Sequence, residues 1–253
     1  MKKIVLAYSG GLDTSIILKW LQINYKAEVI AYTSDIGQKM DKRKIISNAK
    51  NLGVKKIIIN DLKNTFVKDY VFPLIRGHAL YEGVYLLGTS IARPLIAKDQ
   101  IRIAKKFKAF AVSHGSTGKG NDQIRFELTF NALAPNIKII APWRIWDLKS
   151  REDCIAYAKK HKISVPVTKA KPYSCDRNIY HISYEGGVLE DPWTEPPIEM
   201  YESVRLIEET PDKATYITLS FKNGVLVSIN NKKNKPVKLL ENLNRVGGLN
   251  GVG

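Results

Sequence analysis

A run of small and hydroxyl-bearing residues near the N-terminus has the composition of a phosphate-binding loop. The segment from Ser9 to Ser15, Ser-Gly-Gly-Leu-Asp-Thr-Ser, follows a short apolar run and precedes an amphipathic pattern. Glycines let the backbone approach an anion closely, and a helix start adds N–H groups and the positive end of its dipole. The segment lacks both the Gly-Lys-[Ser/Thr] triplet of the P-loop and the G-x-G-x-x-G spacing of dinucleotide-binding folds. It therefore predicts a phosphate cradle of another kind.

A second polar segment covers residues 114–127 and has the sequence His-Gly-Ser-Thr-Gly-Lys-Gly-Asn-Asp-Gln-Ile-Arg-Phe-Glu. It follows a predicted strand and opens a predicted helix, so it belongs to the carboxyl edge of the sheet, where open α/β sheets bind ligands. Asp122 and Arg125 have the charges to pair with the ammonium and carboxylate groups of an amino acid. Taken alone, the segment is also compatible with a solvated charged turn.

The elements that must position these loops alternate between strand and helix along the first two thirds of the chain. Helical periodicity follows the first loop, Asp61 is a predicted N-cap, and Ser150 with Asp153 has the pattern of a capped helix start. Such alternation implies a parallel sheet covered on both faces. The predicted strands are 3–8, 28–33, 55–60, 110–113 and 137–140, and the later helices are 42–52, 92–107 with an interruption near Pro94, 123–133 and 150–161.

The pattern changes at Val165-Pro166, after which turn-rich segments alternate with strand-like runs. Strands are predicted at 180–184, 214–221 and 225–229. We therefore expect two domains, a nucleotide-binding domain at 1–165 and a second domain of α+β type at 166–253.

Composition excludes several classes of protein. The net charge of +16 comes mostly from scattered lysines, which favours a solvated surface over a nucleic-acid partner. Cys154 and Cys175 form no CxxC motif, so we expect neither a zinc site nor a thiol-redox motif, and a reducing, cytoplasmic compartment is the natural expectation. We see neither a signal-peptide pattern nor an apolar run of 18 residues, and we expect no membrane partner.

Four segments together resemble one family. The motif S-G-G-x-D-[ST]-S resembles the pyrophosphate-binding loop of ATP pyrophosphatases, and H-G-[AS]-T-G-K-G-N-D-Q-x-R-F-E is similar to the signature of argininosuccinate synthases. Residues 81–94 are similar to that family's Y-L-L-G-T-[SA]-x-A-R-P segment, and residues 173–186 to its Y-S-x-D-x-N-x-x-H-x-S-x-E-[AG] segment. Each of these two would alone be compatible with ordinary packing. The family order and spacing hold from Met1 to Gly253.

The resemblance implies a nucleotide-binding domain of the adenine nucleotide alpha-hydrolase type, followed by an incomplete α+β domain. It also implies a ligase of arginine biosynthesis that uses ATP, Mg²⁺, citrulline and aspartate. In that family the ureido oxygen of citrulline attacks the α-phosphorus of ATP, which gives citrullyl-AMP and pyrophosphate. The amine of aspartate then displaces AMP to give argininosuccinate.

The resemblance also assigns roles residue by residue. No covalent nucleophile and no metal-binding side chain is implied, and Asp122 and Arg125 position substrates. Asn121 is shared between the two amino acids. The implied ATP set is Ala7, Tyr8, Ser9, Gly10, Gly11, Leu12, Asp13, Thr14, Ser15, Ser34 and Gly115; the aspartate set is Thr117, Asn121 and Asp122; the citrulline set is Tyr85, Ser90, Arg125, Ser174 and Ser183.

The family normally continues beyond the stretch that closes this chain, with a glutamate and a tyrosine that hold citrulline and a helix that assembles a homotetramer. From this we expect ATP binding with weak or absent ligation by this chain, and we do not expect the tetramer. Three hypotheses stay open: a shortened argininosuccinate synthase, an ATP-binding remnant without full ligase activity, and a tRNA-modifying ATP pyrophosphatase. The third predicts a clustered basic patch or a catalytic cysteine pair, and the sequence has neither.

Overall fold

A computed structural model describes residues 2–118, 120–163 and 173–253 of the chain. Within them, strands and helices follow one another in the order expected for a nucleotide-binding fold. The strands are β1 Lys3–Ala7, β2 Glu28–Asp35, β3 Lys56–Asp61, β4 Ala111–Ser113, β5 Lys138–Ile140, β6 Ser174–Arg177, β7 Ile182–Glu185, β8 Leu219–Lys222, β9 Val225–Ile229 and β10 Lys232–Lys233. The α-helices are α1 Leu12–Tyr25, α2 Lys42–Asn51, α3 Lys63–Phe66, α4 Phe72–Arg76, α5 Gly88–Lys106, α6 Asn121–Leu133, α7 Pro142–Ile145, α8 Arg151–Lys160 and α9 Pro236–Leu249.

The described residues divide into two compact units whose segments interleave along the chain. The predicted domain boundary near residue 165 lies outside the described residues, so the division into 1–165 and 166–253 stays a prediction. Two short segments that precede residue 92 group with the later part of the chain. The first unit comprises residues 2–35, 40–61 and 92–163, and the second comprises 36–39, 62–91 and 173–253.

The first unit is built on a five-stranded sheet with the order β3-β2-β1-β4-β5, and every pairing is parallel. This confirms the predicted parallel sheet. Successive side chains of β1 enter two separate apolar clusters. Ile4 and Leu6 pack with side chains of α1, α2 and α8, whereas Val5 packs with side chains of α5 and α6. The sheet is therefore buried on both faces, which is why β1 is a continuous apolar run rather than an alternating one.

Several predicted boundaries are wrong for identifiable reasons. Helix α5 begins at Gly88 and runs through Pro94 without interruption, although the proline ring removes one backbone hydrogen bond. Asp61 does not cap a helix, because it is the last residue of β3 and Leu62 occupies the N-cap position. The capped start at Ser150 is confirmed, since Ser150 Oγ accepts from Asp153 N at 3.0 Å and the Asp153 carboxylate accepts from Ser150 N at 2.9 Å.

The second unit contains two antiparallel sheets, the hairpin β6-β7 and the three-stranded sheet β10-β9-β8. Of the predicted strand 214–221 only the end forms, as β8, while β9 matches its prediction. Among the described residues, α7 and α9 escaped prediction. The helix expected after Asp61 forms as a helical run in which a π-helical turn, Val67–Val71, joins α3 to α4. No helix in the described part of the chain is both long and apolar enough to cross a membrane.

A buried carboxylate attaches α5 to the sheet of the first unit. Asp99 accepts hydrogen bonds from Tyr32 Oη at 2.8 Å, Asn60 Nδ2 at 2.6 Å and Arg102 Nε at 2.7 Å. The residue is only 8% exposed. Burial acts to raise the pKa of Asp99, but the three donors and the charge of Arg102 outweigh it, so the pKa lies below its usual value.

Replacing Asp99 by asparagine tests this attachment. The amide turns its N–H₂ group toward at least one donor, so we expect the free energy of unfolding at pH 7 to fall by about 2 kcal/mol in urea titrations. Because the folded pKa is depressed, the contribution of the carboxylate is present above the unfolded pKa of about 3.9 and is lost as the pH falls through the folded value. The difference from wild type should therefore shrink below about pH 4.

Asp147 provides a matched control, because it is an exposed aspartate in the same unit. Asp147→Asn removes the same charge without removing a buried acceptor, and we expect a change within about 0.5 kcal/mol. Equal losses in the two variants would show that Asp99 contributes only through the net charge of the protein.

Candidate functional site

The loop between β1 and α1 has a backbone conformation that requires glycine. Gly10 has a φ of +81°, and a Cβ atom there would lie 2.8 Å from Ile45 Cγ1. The Gly10 carbonyl is held in place by Asn48 Nδ2, which donates to it at 2.9 Å. Helix α2 thus holds the backbone of the loop in place through Ile45 and Asn48. Neither Ile45 nor Asn48 was predicted as a site residue, because no motif in the sequence includes them.

Hydroxyl groups join the two ends of this loop. Ser9 Oγ and Thr14 Oγ1 are 3.0 Å apart, and the Gly11 N–H donates to Ser9 Oγ at 3.3 Å. Ser15 is fully buried and its Oγ lies 3.0 Å from Tyr8 Oη. Burial raises the pKa of Tyr8, which keeps its hydroxyl neutral. The loop is therefore ordered by its own side chains before any ligand binds.

The start of α1 has the properties of an anion site. Gly11 is the N-cap, and no side chain of the described residues caps the helix there. The first N–H groups of a helix have no partner within the helix, and the dipole makes this end positive. Leu12 is the first helical residue, and Asp13 places a carboxylate in the first turn. A phosphate at this position would be best accommodated together with a cation that offsets Asp13.

The second polar segment lies beside the first loop. It follows β4, which pairs directly with β1, and the strand order of the sheet reverses between these two strands. A Cβ at Gly115 would be 3.1 Å from Thr14 Cγ2, so the two loops are in contact. Ala7 ends β1, and Ser34 is a buried residue near the carboxyl end of β2. Open α/β sheets bind ligands at such a reversal.

Charged groups cluster in the first turn of α6. Asp122 accepts from Arg125 Nη1 at 2.7 Å and from Arg93 Nε at 2.6 Å, so two guanidinium groups flank one carboxylate. Thr117 and Asn121 are exposed and lie just before this turn and at its start. The pairing with Arg93 was not predicted. Arg93 belongs to a recognised motif, but a spacing of 29 residues does not indicate a contact.

The remaining four predicted residues belong to the second unit. The Tyr85 ring meets the His181 ring edge-on with centroids 5.0 Å apart, and a Cβ at Gly88 would lie 2.1 Å from His181 Cβ. The segment around Tyr85 and the segment around His181 are therefore packed together. Ser90 is in the first turn of α5.

The serines at 174 and 183 lie on the β6-β7 hairpin. Ser174 pairs with Glu185, and Asp176 pairs with Ser183. Because directly paired residues of antiparallel strands point to the same face, the two serines share one face of the hairpin. A cavity of about 740 Å³ also lies in the second unit; among its lining residues are Arg177, Tyr184 and Met200, but none of the four predicted residues.

Both parts of the chain match models of known protein families. Residues 3–164 match the family described as Arginosuccinate synthase N-terminal HUP domain, and residues 173–253 match the Arginosuccinate synthase C-terminal domain. The chain is 65% identical over 254 residues to the argininosuccinate synthase of Pelagibacter ubique (strain HTCC1062), a match that covers 100% of this chain and 64% of that protein. It is 57% identical over 252 residues to the argininosuccinate synthase of Caldanaerobacter subterraneus subsp. tengcongensis, which covers 100% of this chain and 62% of that protein.

Similarity to solved structures is weaker. The U34-tRNA thiolase NcsA from Methanococcus maripaludis is 18% identical with a TM-score of 0.42, and the match covers 69% of this chain and 60% of that one. No functional argument rests on this likeness. The chain spans about 62–64% of the length of the curated relatives that it matches. The two family matches and the high identity to several relatives show that the chain belongs to the argininosuccinate synthase family.

Proposed function

We propose that this protein ligates citrulline and aspartate at the expense of ATP, in the synthesis of arginine. The observation that carries the proposal is the contact between the two loops in the first unit. The loop after β1 offers an anion site, the segment after β4 offers charged groups suited to an amino acid, and Gly115 lies against Thr14. An enzyme that transfers an adenylyl group must hold these two kinds of ligand side by side.

The first loop would hold the phosphates of ATP. The Ser9 and Thr14 hydroxyls and the start of α1 all lie at the carboxyl end of β1. When the ureido oxygen of citrulline attacks the α-phosphorus, negative charge builds up on the departing pyrophosphate. Fixed donors and a helix N-terminus stabilise such charge without reorganisation during the reaction. Catalysis of this kind needs positioning and electrostatics rather than a covalent nucleophile.

The second segment would hold aspartate. The Asp122 carboxylate is suited to accept from the substrate ammonium group, and Thr117 and Asn121 are exposed beside it. Arg93 and Arg125 keep the Asp122 carboxylate in place through the two ion pairs. After deprotonation, the amine attacks the citrullyl carbon, AMP leaves, and the new carbon–nitrogen bond gives argininosuccinate. Arg125, together with Tyr85, Ser90, Ser174 and Ser183, would contact citrulline.

We propose that Mg²⁺ arrives with the nucleotide. No group of three or more His, Cys, Asp or Glu side chains that could hold a metal occurs in the part of the chain that the structure describes. The phosphate oxygens would therefore supply most of its ligands, as is common for Mg²⁺. Asp13 in the first turn of α1 is suited to favour a cation there. When bound, Mg²⁺ would neutralise phosphate charge during adenylyl transfer.

We also propose a reducing, cytoplasmic setting for the protein. Cys154 is buried and Cys175 is exposed, and both are free thiols. The tRNA-modifying alternative is not favoured, since both family matches are to argininosuccinate synthase domains.

The direct test is the release of AMP and pyrophosphate from ATP, measured beside ATP binding by the same sample. We expect ATP binding, and equal release of AMP and pyrophosphate only when citrulline and aspartate are both present. Binding without turnover would instead support the ATP-binding remnant. A sample that is folded but does not bind ATP would contradict the proposed site.

Gly10→Ala should weaken ATP binding by about tenfold or more. A left-handed backbone conformation costs a residue with a side chain roughly 1–2 kcal/mol. The new methyl group would also clash with Ile45, so the loop must shift. Gly53→Ala is the control, because Gly53 has a φ of +78° but a Cβ there meets no described atom within 4 Å. Isothermal titration with ATP should show normal affinity for this control. Equal affinities in both variants would contradict the assignment of the loop.

Asp122→Asn should raise the KM for aspartate by about 10- to 100-fold, because the neutral amide cannot balance the positive charge of the substrate ammonium group. The affinity for ATP should change by less than about twofold. The readouts are the KM for aspartate in the AMP-release assay and the Kd for ATP. Asp147→Asn again controls for net charge, and an unchanged KM in Asp122→Asn would exclude the proposed contact.

A further inference from the structure

A buried histidine stands where β4 passes into the second polar segment. His114 is 1% exposed, and its ring stacks on Phe126 with centroids 5.4 Å apart and an interplanar angle of 14°. No role in the proposed reaction has been assigned to it. Its burial nevertheless means that both ring nitrogens need partners, and these partners define its chemistry.

The backbone determines which ring nitrogen carries the proton. The Ser116 N–H donates to His114 Nδ1 at 3.3 Å. A backbone N–H can only donate, so Nδ1 must present a lone pair. In the neutral ring the proton then lies on Nε2, which donates to Glu127 Oε1 at 3.2 Å. The same oxygen accepts from Arg144 Nη2 at 2.7 Å.

The contacts of His114, Glu127 and Arg144 reach the second polar segment at two residues, Ser116 and Gly118. At the near end His114 holds the amide of Ser116. At the far end a Cβ at Gly118 would lie 2.9 Å from Arg144 Cγ, so the Arg144 side chain packs against that glycine. Arg144 also donates a hydrogen bond to Glu127. Residues 115–118, between these points, include Gly115 and Thr117, to which the proposed function assigns ATP and aspartate contacts.

We propose that neutral His114 is a positioning residue, which holds residues 115–118 in their binding conformation by accepting the Ser116 N–H while it donates to Glu127. The importance of this for catalysis rests on the proposed function, whereas the effect on the loop does not.

The contacts of His114 and Arg144 attach residues 115–118, which include two glycines, to the body of the first unit.

Protonation would abolish this arrangement. With a proton on Nδ1, two donors would face each other and the Ser116 bond would break. Burial lowers the pKa of His114, and this outweighs the raising effect of Glu127 and, more weakly, of Asp122; the charge of Arg144 lowers it further. A lowered folded pKa means that the neutral form is favoured in the native state, so the contribution to stability is complete above the unfolded pKa of about 6.5 and is lost as the pH falls through the lower folded pKa.

Two substitutions separate the two nitrogens. In His114→Asn the side-chain oxygen replaces the Nδ1 acceptor, whereas in His114→Gln the longer amide reaches toward Glu127 and leaves the Ser116 N–H without its acceptor. Both variants lose the stacking on Phe126, so their difference reports the Ser116 bond. We expect hydrogen exchange of the Ser116 amide to accelerate by about three- to tenfold more in His114→Gln than in His114→Asn.

The same pair of variants should differ in binding. We expect the KM or Kd for aspartate to rise by about three- to tenfold in His114→Gln and to stay near the wild-type value in His114→Asn. In wild type, the affinity for aspartate should fall as the pH falls through the lowered folded pKa of His114, whereas His114→Asn should lack this acid limb. His161→Gln is the control, since His161 lies at the end of α8 away from the segment and its replacement should leave the acid limb in place.

Glu127→Gln provides a second measurement should both histidine variants fold poorly. The Glu127 charge raises the pKa of His114, so its removal should lower that pKa further. The pH at which hydrogen exchange of the Ser116 amide accelerates should therefore move to a lower value. Equal Ser116 exchange in the two histidine variants, or an unmoved acid limb in Glu127→Gln, would overturn the proposal. Normal Ser116 protection in a wild-type chain that binds no aspartate would instead count against the proposed function and leave the role of His114 intact.

Discussion

The close approach of two loops at the strand-order reversal is the constraint on which the first unit depends. Strands β1 and β4 pair in parallel, so the segments that leave them start at the same edge of the sheet. Glycine is needed at Gly10, where φ is +81° and a Cβ would lie 2.8 Å from Ile45 Cγ1. At Gly115 the approach is close as well, because a Cβ would lie 3.1 Å from Thr14 Cγ2. The same geometry places both polar segments at the sheet edge where open α/β sheets bind ligands.

A buried carboxylate, Asp99, and a half-buried one, Glu127, hold the elements around these loops. Asp99 gathers donors from β2, β3 and α5, and Glu127 gathers His114 and Arg144 behind the second segment. Each carboxylate can only accept, so each specifies the orientation of every donor around it. The loops are in this way attached to the sheet and helices of the first unit. The proposed function would benefit from this attachment, because electrostatic catalysis requires preorganised groups.

The second unit uses a different means to position its side chains. Its predicted citrulline residues come from three separate segments, and packing rather than a regular sheet edge brings two of these segments together, through Tyr85, Gly88 and His181. The hairpin β6-β7 then sets Ser174 and Ser183 on one face by register alone. Small irregular elements of this kind follow no strong periodicity, which explains why strand 214–221 was over-predicted. Helix α9 is a regular amphipathic helix of 14 residues, and its periodicity was overlooked.

The sequence by itself determined the family and the parallel α/β sheet, and it located the two polar segments proposed to bind ligands, because motif spacing and apolar runs are local properties. The capping box at Ser150 was equally predictable for the same reason. Only the tertiary structure decided which side chains stand behind the motifs. Asn48 on the Gly10 carbonyl, Arg93 on Asp122 and the ring tautomer of His114 all depend on contacts between residues distant in sequence or on the direction of a single N–H group. Such contacts follow from chain packing, and no local pattern encodes them.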